Sequence, residues 1–164
     1  MPTPGPDVQP PAGEPLPALA GRLGYLLKHA QLRLAELTAS AMAPFGITGR
    51  QLAVLIAIDS QAPLSQQEVA RRLGVDRTTM VLLIDELEKK RLVQRRQDPG
   101  DRRKNAVALT DAGRTTLQAA ASASAEAERL FLGSLSGDEA SQLRQALLVV
   151  AFPSATAVKR PLRR

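Results

Sequence analysis

The segment from Ser65 to Thr110 limits the possible folds more than any other part of the chain. Ser65-Gln66-Gln67-Glu68 is a capping-box sequence, in which the Ser65 hydroxyl takes the Glu68 main-chain N–H and the Glu68 carboxylate reaches back. Val69, Ala70 and Leu73 give the helix that starts there an apolar face, and Gly74 stands where a left-handed residue ends it. Asp76 then suits the cap of a second helix running to about Lys90, with Met80, Leu83, Ile84 and Leu87 recurring at three- and four-residue spacing. Two short helices joined by a tight, glycine-bearing turn form a helix-turn-helix, and Arg77, Thr78, Thr79 and Val81 fall on the exposed first turns of its second helix. Arginine can fork onto guanine O6 and N7, and threonine offers a hydroxyl and a methyl to base edges. Taken alone, the pair is equally compatible with a helical hairpin that has a polar surface.

The residues after the second helix separate these readings. Leu92 to Gln97 and Lys104 to Leu109 have strand character, and Asp98-Pro99-Gly100-Asp101 between them has turn chemistry, so a β-hairpin is expected. Lys89, Lys90, Arg91, Arg95, Arg96, Arg102, Arg103 and Lys104 crowd this segment against only Asp98 and Asp101. Such an imbalance predicts an anionic partner, and double-stranded DNA is the one a helix-turn-helix with a basic hairpin serves.

These residues resemble the MarR-type transcription regulators. The matching pieces are Ser65-Gln66-Gln67-Glu68-Val69-Ala70, Leu73-Gly74-Val75-Asp76-Arg77-Thr78-Thr79-Met80, Leu87-Glu88, Asp98-Pro99-Gly100-Asp101-Arg102-Arg103 and Leu109-Thr110-Asp111-Ala112-Gly113. The similarity extends more loosely over positions 18 to 152. It implies a homodimer with recognition helices in successive major grooves and wings in adjacent minor grooves. On that resemblance, Arg103 is the wing-tip arginine of the minor groove, Asp101 the carboxylate that orients the wing, and Arg102 a phosphate contact or a flank of the insertion. Ser65, Gln66, Arg77, Thr78, Thr79, Arg95 and Lys104 complete the expected DNA-contacting set. Two departures stand out. Leu82 and Glu86 occupy places where relatives often carry basic or polar residues, and Arg91 stands where many have a helix-ending glycine.

The expected fold is mainly α with a small β-hairpin wing: a winged helix-turn-helix domain (46–110) plus an N-terminal dimerisation helix (18–45) and C-terminal dimerisation helices (111–152). A proline-rich arm (1–17), with prolines at 2, 4, 6, 10, 11, 15 and 17, is expected to be disordered, and 153–164 forms a basic tail. With aromatics at 2%, Ala and Leu must do the packing. A formal charge of +6 agrees with nucleic acid, although composition alone also permits a membrane surface. Zero cysteines exclude disulfides, thiolate metal sites and a cysteine redox switch. No signal peptide or membrane span is legible, so a cytoplasmic protein without a membrane partner is expected.

Leu19, Leu23, Leu26, Leu27, Ala30, Leu34, Leu37 and Ala41 form one stripe of the first helix. Tyr25, His29, Leu32 and Glu36 form a second line, placing the only tyrosine and the only histidine one turn apart. In relatives, effector pockets lie between this helix, the DNA-binding domain and the dimerisation helices, often for aromatic carboxylates or phenols. That resemblance implies Tyr25 and His29 as pocket residues, with Arg33 pairing a carboxylate; the competing reading has Tyr25 and His29 capping a dimer interface.

Thr48 caps a helix to about Ser60, Ala62-Pro63-Leu64 connects it onward, and Thr110-Asp111 starts an Ala-rich helix to about Leu132. A capping box at Ser136-Gly137-Asp138-Glu139 opens a last helix to about Phe152. Nucleophile, metal and nucleotide signatures are all missing, so no enzyme and no cofactor are expected. A sequence-specific regulator, more often a repressor than an activator, is the function expected; an effector-independent architectural DNA-binding protein is the alternative.

Overall fold

The computed structural model describes residues 16–59, 65–97 and 105–153. The proline-rich arm up to Pro15, the Ala62-Pro63-Leu64 connector, the hairpin tip with Asp101, Arg102, Arg103 and Lys104, and the basic tail from residue 154 lie outside the described residues. The chain divides into two compact units between Arg33 and Leu34.

In the first unit, Leu16 accepts main-chain hydrogen bonds from Leu19 and Ala20, making a turn in place of the helix expected from residue 18. Helix α1 (Leu23–Met42) starts after it, since Gly21 and Gly24 weaken helix propensity at this end. Leu19, Leu23, Leu26 and Leu27 of the predicted stripe are exposed here.

The second unit holds the winged domain. A short 3-10 turn, Ala43–Phe45, closes on the left-handed Gly46 and leads to α2 (Gly49–Ile58), which Thr48 and Gln51 cap reciprocally. Then come α3 (Gln66–Leu73), α4 (Arg77–Lys89), β1 (Val93–Gln97), β2 (Asn105–Leu109), α5 (Asp111–Phe131) and α6 (Gly137–Ala151). The strands pair antiparallel with Arg95 opposite Val107, and Ser65 adds an isolated bridge to Ala106.

The core of this unit matches the apolar spacing of α3 and α4; on α2 the pattern Leu52, Leu55, Ile56 holds only in its first two members, since Ile56 is exposed and Ile58 is buried instead. Val69 from α3, Met80, Ile84 and Leu87 from α4, Leu52, Leu55 and Ile58 from α2, and Val93, Val107 and Leu109 from the strands are buried in one cluster. Leu117 and Ala120 bring α5 onto it. Gly113 makes that approach possible: a Cβ there would stand 1.9 Å from the Leu92 carbonyl oxygen. Helix α6, by contrast, has no buried residue, and its Leu147, Leu148 and Val150 are exposed. Among the described residues, no single helix is long and apolar enough to cross a membrane.

Two helices end in paired main-chain bonds around a left-handed residue. After α3, Val75 donates to Ala70 and Gly74 to Arg71, with Gly74 at φ 64°. After α4, Leu92 donates to Leu87 and Arg91 to Glu88, but the left-handed residue is Arg91 at φ 59°. It is the one non-glycine with positive φ among the described residues. The expected shortage of a glycine is therefore met by straining an arginine, which L-residues tolerate at a cost of about 1–2 kcal/mol.

Candidate nucleic-acid interface

The first turn of α4 carries the expected reader residues. Asp76 caps it, its carboxylate accepting from the Thr79 main-chain N–H at 2.9 Å and from the Thr79 hydroxyl at 2.6 Å. Those bonds, the hydroxyl's first, hold the Asp76 carboxyl below its ordinary range. Arg77 and Thr78 are exposed. Thr79 differs from the expectation, because its proton is engaged in the cap and the residue is half-buried; its methyl and remaining lone pair are what it has left to offer.

At the start of α3, the Ser65 hydroxyl accepts from Glu68 N–H at 3.2 Å, with Gln66 half-buried beside it. The reciprocal half of the predicted capping box does not form. Arg71 and Arg72 stand three and four residues after Glu68 and take its carboxylate, the first through two bonds of 3.0 and 2.7 Å. A forked, doubly charged contact outcompetes a single neutral N–H. The two guanidiniums, Arg71 foremost, draw the Glu68 pKa down to about 2.

The basic count between positions 89 and 104 also needs correction as a measure of free charge. Arg95 does not point free toward a partner: its guanidinium bonds Asp85 and Glu88 of α4, and its main-chain N–H reaches Glu88 at 3.3 Å. These carboxylates, Asp85 first, raise the Arg95 pKa, so Asp85 and Glu88 are not merely solvated charges. Lys90 donates to the Gly46 carbonyl at 2.7 Å and to the Gln51 side-chain oxygen at 2.8 Å. Lys89 and Arg91 are exposed.

Gln51 was not singled out by the sequence. It is buried on α2, and its amide donates to Glu86 at 2.6 Å while its oxygen accepts from Thr48 N–H and Lys90. Glu86, a departure from the usual pattern, thus belongs to an internal network. Leu82 is 59% exposed, which rules out internal packing within the protomer and leaves an apolar side chain on the outer face of α4, one turn beyond Thr78.

Of the effector candidates, Tyr25 and His29 meet, their ring centroids 4.2 Å apart and tilted by 47°, with Tyr25 half-buried; His29 and Arg33 are exposed. Within the second unit, an open groove of about 410 Å³ lies between α2 and α5, walled by Ile56, Leu117 and Ala121 with Asp59, Arg114 and Gln118 at its polar side. This groove had no sequence signal, because its lining comes from two helices some sixty residues apart.

Comparison with known proteins agrees with this architecture. Residues 45–104 match the family model described as "MarR family". The transcriptional repressor NicR of Pseudomonas putida is 32% identical over 118 residues, covering 72% of this chain and 75% of NicR. The solved repressor CouR bound to a 23-mer DNA duplex superposes with a TM-score of 0.77 at 36% identity, over 82% of this chain and 96% of that one. CouR from Rhodococcus jostii RHA1 bound to p-coumaroyl-CoA gives 0.75 at 31% identity, over 85% and 98%. With a capped recognition helix, a two-stranded wing and relatives of this similarity over most of its length, the chain belongs to the MarR family of winged helix-turn-helix transcription regulators.

Proposed function

We propose that this protein is a transcriptional repressor that binds a palindromic operator as a homodimer and is released by a small aromatic or phenolic ligand. The observation that carries the DNA reading is the exposed Arg77-Thr78 turn at the start of α4, beside a hairpin wing. In this reading Arg77, Thr78 and the Thr79 methyl meet major-groove edges, Ser65 and Gln66 approach phosphates, and Arg103 enters the minor groove with Asp101, Arg102 and Lys104 around it. Arg103, Asp101 and Arg102 rest on the family resemblance, and Lys104 on the basic run of the hairpin.

The dimer is supported by apolar side chains left in solvent: Leu23, Leu26 and Leu27 on α1, and Leu143, Leu147, Leu148 and Val150 on α6. Exposed apolar surface of this kind marks an interaction site. Light scattering is expected to return twice the 17.5 kDa protomer mass.

Two places suit an aromatic acid: the Tyr25–His29 pair with Arg33 one turn on, and the groove with Arg114 beside apolar walls. CouR has been solved with an aromatic acyl thioester, which gives phenolic acids and their thioesters priority in a ligand screen. His29→Ala is expected to weaken release by such a ligand while sparing operator affinity.

The decisive experiment selects duplexes from random DNA with the full chain, then measures anisotropy of the enriched and a scrambled duplex at one salt concentration. An enriched palindrome bound at least about a hundredfold tighter than scrambled DNA supports the repressor. Equal binding refutes it in favour of an effector-independent architectural protein.

A further inference from the structure

The β1–β2 hairpin is held along both of its edges by the helix-turn-helix itself. On one edge, Ser65 at the start of α3 bridges to Ala106 of β2. On the other, Arg95 of β1 is tied to α4 three ways: its guanidinium bonds both Asp85 and Glu88, and its main-chain N–H donates to the Glu88 carboxylate. Both carboxylates are half-buried, and they lie three residues apart on the turn of α4 nearest the strand. Below this level the strands are anchored by buried Val93, Val107 and Leu109.

A two-stranded hairpin is marginal by itself, so its direction depends on what grips its edges. One guanidinium between two carboxylates is locally net negative, which makes it a poor ligand for a phosphate and a good bracket between two elements. The planar fork of arginine can serve two acids at once, whereas an ammonium is a single point of charge.

We propose that Arg95 is a positioning residue: with Asp85 and Glu88 it fixes the angle at which the wing leaves the recognition helix, so that both meet DNA in one relative orientation. This rests on the DNA-binding reading above. It replaces the direct DNA contact expected for Arg95 from the sequence.

The test compares the full-length protein with Asp85→Asn/Glu88→Gln and, as a second route that keeps the charge, Arg95→Lys, each checked for retained helicity by circular dichroism. Hydrogen exchange is read on the free proteins. Amides of residues 93–97 and 105–109 are expected to exchange about tenfold or more faster in both variants, while those of Met80, Ile84 and Leu87 are unchanged. Binding is then read on a duplex selected by the wild type and on a scrambled duplex at the same salt. The preference for the selected duplex is expected to fall about tenfold or more, even though the double variant has lost two negative charges.

A direct phosphate contact predicts the opposite sign. Freeing the cation would then tighten binding to both duplexes and keep the preference, and lysine at 95 would serve nearly as well; that result overturns the proposal. Unchanged exchange in the strands overturns it whatever the DNA result. A wild type without sequence preference would instead refute the repressor reading, and the exchange data would still decide the role of Arg95.

Discussion

Replacing Arg91 with glycine is expected to leave the protein as stable as before, although it removes a charged side chain next to the proposed DNA-binding surface. Arg91 holds φ 59° because the paired bonds closing α4, Leu92 to Leu87 and Arg91 to Glu88, require a left-handed residue there. A side chain in that region costs about 1–2 kcal/mol. Glycine removes the strain but gives back about 0.5–1 kcal/mol through its freer unfolded chain. It also forfeits about 0.3–1 kcal/mol of attraction between the cation and the helix C-terminus. At mid-range values these terms nearly cancel, and the net change for Arg91→Gly lies within about 1 kcal/mol of zero. Arg91→Ala loses the same charge and keeps the strain, so glycine should exceed alanine by about 0.8 kcal/mol, or roughly 2–3 °C in thermal midpoint for a chain of this size. Both variants must be melted at one protomer concentration, since self-association would shift the midpoint. An alanine variant as stable as the glycine variant would refute the strain argument. An asparagine variant should fall between them, because asparagine visits this region more readily.

The same geometry gives three other expectations. Gly113→Ala would place a methyl 1.9 Å from the Leu92 carbonyl oxygen and push α5 from the α4–β1 corner; a loss of about 1–3 kcal/mol in urea unfolding is expected. Glu68, with its pKa drawn from 4.5 to about 2, stabilises the fold above its unfolded value and loses that contribution as pH falls toward 2. Glu68→Gln should therefore be less stable than the wild type at pH 6, with the gap closing between pH 4.5 and 2; a gap constant with pH would contradict the ion pair. Leu82, exposed one turn beyond Thr78, suits a thymine methyl. Replacing the relevant thymine by deoxyuridine should weaken the wild type about fivefold and leave Leu82→Ala indifferent, and equal weakening of both would exclude the contact.

How far the structure could be read in advance depends on the range of the interactions involved. Thr48, Asp76, Thr110 and Ser136 all cap their helices as short-range chemistry dictates, and the apolar spacing of α4 puts Met80, Ile84 and Leu87 in the core. The Ser65 box failed in one half because Arg71 and Arg72 compete for the same carboxylate from one turn away. The ion pairs of Arg95 were not legible because its partners lie seven and ten residues back, across the bend from helix to strand, where counting charges treats each as independent. Gln51 gave no signal, since a lone polar residue on an apolar helix looks like surface until its partners at Glu86 and Lys90 are known. The α2–α5 groove is likewise a product of tertiary packing.

The Gln51 network also sets how α4 can move. Glu86 and Lys90 fasten the last turn of the helix to α2 and to the Gly46 carbonyl, whereas Arg77 and Thr78 stand free at the other end. Thirteen residues separate the pinned end from Arg77, a lever about 20 Å long that Met80 seats in the core one turn in from the tip. Tilting it by about 5° around the Gln51 fulcrum carries Arg77 through about 1.7 Å, more than half the length of a hydrogen bond. The same tilt shifts buried Met80 by about 1.3 Å, so the tip can leave its fit to a base edge only if the core around Met80 repacks with it.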